Sequence, residues 1–204
     1  MGLWAIVPVK PLRKGKSRLS GVMSEDERAL LNFTLVGQTL RTLKSVPSID
    51  QILVVSSDSG VLALAREYGA RTLQEDGQPT LAIALRRAVV VAKMYSAEGV
   101  LILSADLPLI SSRDIEKMLA LGKEPPFVVI APDRHNDGTN AIFLYPPDII
   151  DCKIGAKSFE YNAQQAGKKQ VHLEVCQLTS LGLDLDKPED LVLLKQIEAS
   201  KIDL

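Results

Sequence analysis

Val7-Pro8-Val9-Lys10-Pro11-Leu12-Arg13-Lys14-Gly15-Lys16-Ser17-Arg18-Leu19-Ser20 continues an apolar run that begins at Trp4. Trp4 to Val9 is short and apolar, the pattern of a strand buried on both faces. A strand that passes into a flexible basic loop ahead of a helix places positive charge at the carboxyl edge of a sheet, where open α/β folds bind ligands. Lys10, Arg13, Lys14, Lys16 and Arg18 supply five cations, and Gly15 gives the backbone freedom to approach phosphate oxygens. The spacing is not that of a Walker loop. A solvated surface loop is the alternative, and placement straight after the first strand favours a polyanion, most simply a nucleoside triphosphate.

The chain has 204 residues, 46% of them apolar, and a net charge of −1. That describes a single domain, 1–204, with one substantial core. A nucleic-acid binder would normally carry a basic excess over a whole face, so the basic loop must serve a small anion. Cys152 and Cys176 fit no zinc spacing and are expected to be reduced thiols of a cytoplasmic protein. The first apolar run is too short to be a signal peptide, and no stretch approaches the roughly 20 apolar residues of a membrane span.

Apolar runs alternate with amphipathic helical stretches, which predicts an α/β fold with a mainly parallel sheet covered on both faces. Ser24 and Glu27 make a capping box for a helix running through Leu30, Leu31, Leu35, Leu40 and Leu43 to Pro47. Strands are expected at 51–56, 70–73, 100–104, 127–131, 140–144 and 171–177. Helices are expected at about 59–68 and 79–95, from Ser111, and after Pro188.

Three further clusters could carry chemistry. Ser104-Ala105-Asp106-Leu107-Pro108 puts a carboxylate at the tip of an apolar strand, suited to Mg²⁺ or merely to a turn. In Gly182-Leu183-Asp184-Leu185-Asp186-Lys187-Pro188, alternation sets Asp184 and Asp186 on one side of an extended segment. Either could complete a metal site with Asp106; Asp184 is favoured, because Asp186 also stands where a helix N-cap would be. Asp137-Gly138-Thr139-Asn140 and Ile154-Gly155-Ala156-Lys157-Ser158-Phe159 form a plausible cradle for a smaller phosphate or carboxylate. His135 and His172 have no partners recognisable from spacing.

Together, Pro-x-Lys-(x)5-Lys-Ser-Arg-Leu, Ser-Ala-Asp-Leu-Pro, Asp-Gly-Thr-Asn, Gly-x-x-Ser-Phe and Leu-Asp-Leu-Asp-x-Pro-Glu-Asp-Leu resemble the 2-phospho-L-lactate guanylyltransferase family (CofC and FbiD type) of coenzyme F420 biosynthesis. The match runs in order from Val7 to Leu191. The resemblance implies a three-layer, Rossmann-like (GT-A-like) nucleotidyltransferase sheet. It also implies guanylylation of a phosphorylated C3 acid by GTP, with release of pyrophosphate. Pro8, Lys10, Lys16, Ser17 and Arg18 of the basic loop are expected to form the nucleotide side, and on the resemblance Thr139, Gly155 and Ser158 bind the phospho-acid. Asp106 with Asp184 or Asp186 holds Mg²⁺. Lys16 and Arg18, assisted by Lys10, would stabilise the leaving pyrophosphate. One position departs: where the family carries Leu-Asn-x-Ala-Leu, this chain has Leu81-Ala82-Ile83-Ala84-Leu85, leaving Gln78 and Asn140 as candidates to replace the amide. Related molybdenum-cofactor or sugar nucleotidyltransferases, and a non-enzymatic nucleotide-binding module, are the competing expectations. Leucine-rich helical faces leave room for a homodimer.

Overall fold

Strand β1 (Leu3–Pro8) buries Trp4, Ala5, Ile6 and Val7 to 3% exposure or less. It is covered on both faces, which is why its sequence is a continuous apolar run and not an alternation. The computed structural model describes residues 2–77 and 80–202. Six further strands join β1: β2 (Gln51–Ser56), β3 (Arg71–Gln74), β4 (Gly99–Leu103), β5 (Phe127–Pro132), β6 (Thr139–Tyr145) and β7 (His172–Val175). The helices are α1 (Glu25–Lys44), α2 (Ser59–Glu67), α3 (Leu81–Met94), α4 (Ser112–Leu119), α5 (Phe159–Lys168), α6 (Thr179–Gly182) and α7 (Pro188–Ile202).

The sheet order is β3-β2-β1-β4-β6-β5-β7. The chain builds outward from β1 to β3, then crosses back through α3 to lay β4 on the other side of β1. Connections from β1 and β4 therefore leave in opposite directions, opening a crevice at their carboxyl ends. Only β6 is antiparallel, to both β4 and β5. Its reversal brings its first residues, Thr139 and Asn140, beside the end of β4, and Ser104 N–H donates to Asn140 O at 2.8 Å.

Alternate strand residues feed two core layers. Ala5, Val7, Leu101 and Leu103 pack with Val36, Leu40 and Leu43 of α1 and Val61 of α2. Trp4, Ile6, Val100 and Ile102 pack with Ala84, Leu85, Ala88 and Ala92 of α3 and Ala166 of α5. Helices thus cover both faces of a mostly parallel sheet, as the apolar runs predict.

The Ser24–Glu27 capping box forms, while burial along α1 begins only at Leu35 and Leu30 is 66% exposed. Helix α3 is capped by Thr80, whose hydroxyl accepts from Ile83 N–H; the expected start at Pro79 lies outside the described residues. Helix α5 was not expected: its apolar positions are sparse, and Ser158 at its start makes no side-chain cap bond. Both cysteines are buried and unpaired. No described helix is long and apolar enough to cross a membrane.

Ile102 is fully buried in the strand beside β1. Ile102→Ala should cost about 2–5 kcal/mol, read from denaturant unfolding; a loss under about 1 kcal/mol would contradict the central place of β4.

Candidate active site

The basic loop is folded where a flexible segment was expected. Two short 3-10 turns, Leu12–Lys14 and Ser17–Leu19, shape it, and Leu19 is fully buried. Leu12 N–H donates to Asp58 Oδ2 at 2.9 Å, and Asn32 Nδ2 on α1 donates to Leu12 O at 2.7 Å. Between the turns Lys16 adopts φ 54° and ψ 39°. A left-handed conformation costs a non-glycine residue roughly 1–2 kcal/mol and persists only where the surroundings impose it.

Here the imposed conformation turns Lys16 inward. Its side chain is 3% exposed and its Nζ lies 3.3 Å from Asp106 Oδ2. Lys10, Lys14, Ser17 and Arg18 stay exposed, and Pro8 is half-buried at the end of β1. Arg13 is taken up by Glu25 and Asp26 at the start of α1. Arg18 Nη1 reaches Asp186 Oδ2 at 3.1 Å. The loop therefore sends Lys16 and Arg18 toward the acids, and Arg13 away from them.

Asp106 follows β4, anchored by the buried Leu107. Leu185 N–H donates to Asp106 O at 3.1 Å, joining this tip to the segment before α7. In that segment Leu183 and Leu185 are buried and the alternating Asp184 and Asp186 lie half-buried on the other side, as the alternation predicts. Asp106, Asp184 and Asp186 thereby each offer an oxygen within 4.8 Å of the others. Among the described residues Asp186 Oδ2 meets Arg18 and no amide of the first turn of α7, so the N-cap alternative for Asp186 is not realised; Asp190 instead reaches back, its Oδ2 accepting from Asp186 N–H at 2.9 Å and Lys187 N–H at 2.6 Å.

The electrostatics of the triad are unbalanced. Two of its carboxylates face a cation and Asp184 faces none; burial, then Asp106 and Asp186, push Asp184 up to about 6. Asp106 Oδ1 is buried without a hydrogen-bond partner. Hard carboxylate oxygens, an orphaned oxygen and excess negative charge together suit a divalent cation.

The cradle closes beside the triad. Thr139 and Gly155 exchange backbone bonds of 3.2 and 3.0 Å. Ser158 Oγ donates to Gly155 O at 2.5 Å, and Thr139 Oγ1 accepts from Asn162 Nδ2 at 3.0 Å. Both side chains are buried, and these bonds brace the Thr139–Gly155 pairing from within, with the one Ser158 hydroxyl hydrogen spent on Gly155 O. Gly138 is required, since a Cβ there would meet Asp133 Oδ2 and Gly155 O at 2.9 Å. Ala82 lines a cavity of about 230 Å³ with Thr80, Leu81, Leu85, Lys153, Ile154 and Ala156. Asn140 does not supply the missing amide: it is 4% exposed and its Nδ2 is spent on Leu181 O, Gly182 O and Asp184 Oδ1. Gln78 lies outside the described residues.

Residues 3–197 match the family model described as guanylyl transferase CofC like. The chain belongs to the CofC-like guanylyl transferase family. It is 38% identical over 195 residues to the phosphoenolpyruvate guanylyltransferase of Rubrobacter xylanophilus, covering 96% of this chain and 94% of that one. It is 31% identical over 186 residues to the 2-phospho-L-lactate guanylyltransferase of Methanocaldococcus infernus, covering 91% and 81%. A nucleotidyl transferase from Methanothermobacter superposes with a TM-score of 0.69 at 11% identity, covering 98% and 99%, and so shares the fold.

Motif reading of this CofC-like chain missed Arg134, Asn162 and Asp190. Asp190 had a signal, a carboxylate two residues after a helix-opening proline, placed to reach back to the preceding amides. Arg134 and Asn162 had none.

Asp184 is raised from its ordinary 3.8 to about 6, so the penalty for ionising it in the fold starts above the ordinary value and is complete above the folded one. The contribution of Asp184 to the stability of the metal-free protein should fall as pH rises from about 4 to about 6, a slope seen by comparison with Asp184→Asn. Asp184→Asn should raise the unfolding free energy by on the order of 1–2 kcal/mol at pH 7.5, allowing for partial exposure, and by almost nothing at pH 4. An equal difference at both pH values would contradict the assignment.

Proposed function

We propose that the chain transfers GMP from GTP to a small phosphorylated C3 acid and releases pyrophosphate, in coenzyme F420 biosynthesis. The observation that carries this reading is the acid triad at the end of β4 with Lys16 buried against it. A nucleotide-binding module needs the cations and has no use for three converging carboxylates. Phosphoenolpyruvate is the first acceptor to test, since the relative named for it is 38% identical and that named for 2-phospho-L-lactate 31%. 3-Phosphoglycerate is the remaining alternative.

In the proposed reaction an acceptor phosphate oxygen forms a bond to the α-phosphorus of GTP, and the bond from that phosphorus to the oxygen bridging the α- and β-phosphates breaks, that oxygen leaving with the pyrophosphate. A phosphate monoester is largely ionised near pH 7, so neither a protein nucleophile nor a general base is required. Positioning and charge neutralisation supply the rate. Mg²⁺ fits Asp106, Asp184 and Asp186, and when bound it would offset the charge of the transferring phosphate.

Lys16 and Arg18 are assigned to the charge growing on the leaving pyrophosphate, with Lys10 assisting; Pro8 and Ser17 complete the nucleotide side. The inward turn of Lys16 supports its part, since a buried ammonium acts in a low dielectric. Thr139, Gly155 and Ser158 are assigned to the phospho-acid, supported by the antiparallel β6 that brings them beside β4.

Pyrophosphate release should occur with GTP and one of phosphoenolpyruvate, 2-phospho-L-lactate or 3-phosphoglycerate, and should be far slower with ATP, CTP or UTP. Release with none of these acceptors would overturn the reading. Lys16→Ala should lower turnover about 10²- to 10³-fold, the usual loss for one such donor, and Asp106→Asn should abolish Mg²⁺-dependent release. Unchanged turnover in either variant removes that residue from the site.

A further inference from the structure

We infer that Asp190 and Arg134 form a positioning pair that holds the acid triad in register with the acceptor cradle; this rests on the function proposed above. Asp190 touches neither the triad carboxylates nor the cradle. It is 4% exposed, and both its oxygens are used. Oδ2 takes the amides of Asp186 and Lys187, which fixes the backbone from which Asp186 projects. Oδ1 takes Arg134 Nη2 at 2.6 Å. Arg134 comes from the turn between β5 and β6, 56 residues earlier in the chain.

That turn leads directly to the cradle. Arg134 N–H donates to Gly182 O at 2.9 Å, a second tie to the triad segment. The neighbouring Asp133 gathers the turn, with Oδ1 accepting from His135 and Asp137 N–H and Oδ2 from Gly138 N–H at 2.9–3.0 Å. Asp137 accepts Phe159 N–H on its carbonyl and Lys157 N–H on its carboxylate, both at 3.1 Å, while Thr139 pairs with Gly155. Hydrogen bonds joined by short peptide links thus run from Asp186 through Asp190 and Arg134 to both halves of the cradle.

Helix capping alone does not account for this. The backbone amides of Asp186 and Lys187 occupy one oxygen of a buried carboxylate, whereas the second oxygen meets a guanidinium from another element that is itself partly exposed, 29% against 5% for Asp190. Charge-assisted bonds of this kind fix geometry more tightly than neutral ones. Groups that orient metal ligands without touching the metal commonly change its affinity about 10- to 100-fold when removed.

The test uses full-length protein and Mn²⁺ as probe, with binding followed by calorimetry in the absence of nucleotide, alongside the KM for the acceptor and thermal unfolding. Asp190→Asn keeps the shape and one acceptor; Arg134→Met keeps much of the packing and removes the partner. Each should weaken Mn²⁺ binding and raise acceptor KM about 10-fold or more. The double variant should lose little beyond the worse single one, as for two groups acting as a unit. A structural cap alone would lower the melting temperature and leave Mn²⁺ affinity and acceptor KM at wild-type values; that result overturns the inference. Asp184→Asn separates the two claims. If wild type binds Mn²⁺, Asp184→Asn does not, and the Asp190 and Arg134 variants bind normally, the positioning role alone fails. If wild type and Asp184→Asn bind alike, the triad reading fails with it.

Discussion

Three carboxylates within 4.8 Å of one another repel, and the surrounding structure is arranged around that repulsion. Lys16, in a left-handed backbone conformation, is buried against Asp106, and Arg18 reaches across to Asp186. Together they offset two of the three negative charges. Asp184 keeps the remainder, in the displaced acidity that burial and its two neighbours impose. A fold bears such a cost where another cation completes the balance, and the orphaned Oδ1 of Asp106 is consistent with an incomplete donor set.

The topology explains why these groups meet. Crossing from β3 back to β4 opens the crevice beside β1, where the basic loop and Asp106 face each other. Antiparallel β6 then delivers Thr139 to the same edge, and the turn ahead of it supplies Arg134. The basic loop, the acids and the Thr139–Gly155 pair are thus carried by different connections and held together by hydrogen bonds between loops, among them Leu185 to Asp106, Asp190 to Arg134, Arg134 to Gly182 and Asn140 to Leu181.

The α/β architecture was legible because burial on both faces leaves continuous apolar runs, and because Ser24 with Glu27 marks a helix start by local chemistry alone. The triad was legible from alternation at 183–186 and from a carboxylate at a strand tip. What stayed hidden depends on tertiary placement. Nothing local announces that Lys16 turns inward while Lys10 stays exposed, since the distinction comes from Leu19 burying and the loop folding beneath it. Asn140 looked like a spare amide and is consumed bracing residues more than forty positions away. Arg134 sits in an ordinary polar turn, and its partner Asp190 becomes visible only once β5 and the start of α7 are adjacent.

The central claim is that the acids are a cation site completed by substrate, with Lys16 and Arg18 serving the triphosphate. Diffraction from crystals grown with Mn²⁺ and a non-hydrolysable GTP analogue tests it most directly, through the anomalous signal of the metal. The account predicts an anomalous peak within about 2.3 Å of oxygens from Asp106 and at least one of Asp184 and Asp186, with Lys16 or Arg18 on the β- or γ-phosphate. Metal found elsewhere, or triphosphate bound with both cations still on their aspartates, would contradict it.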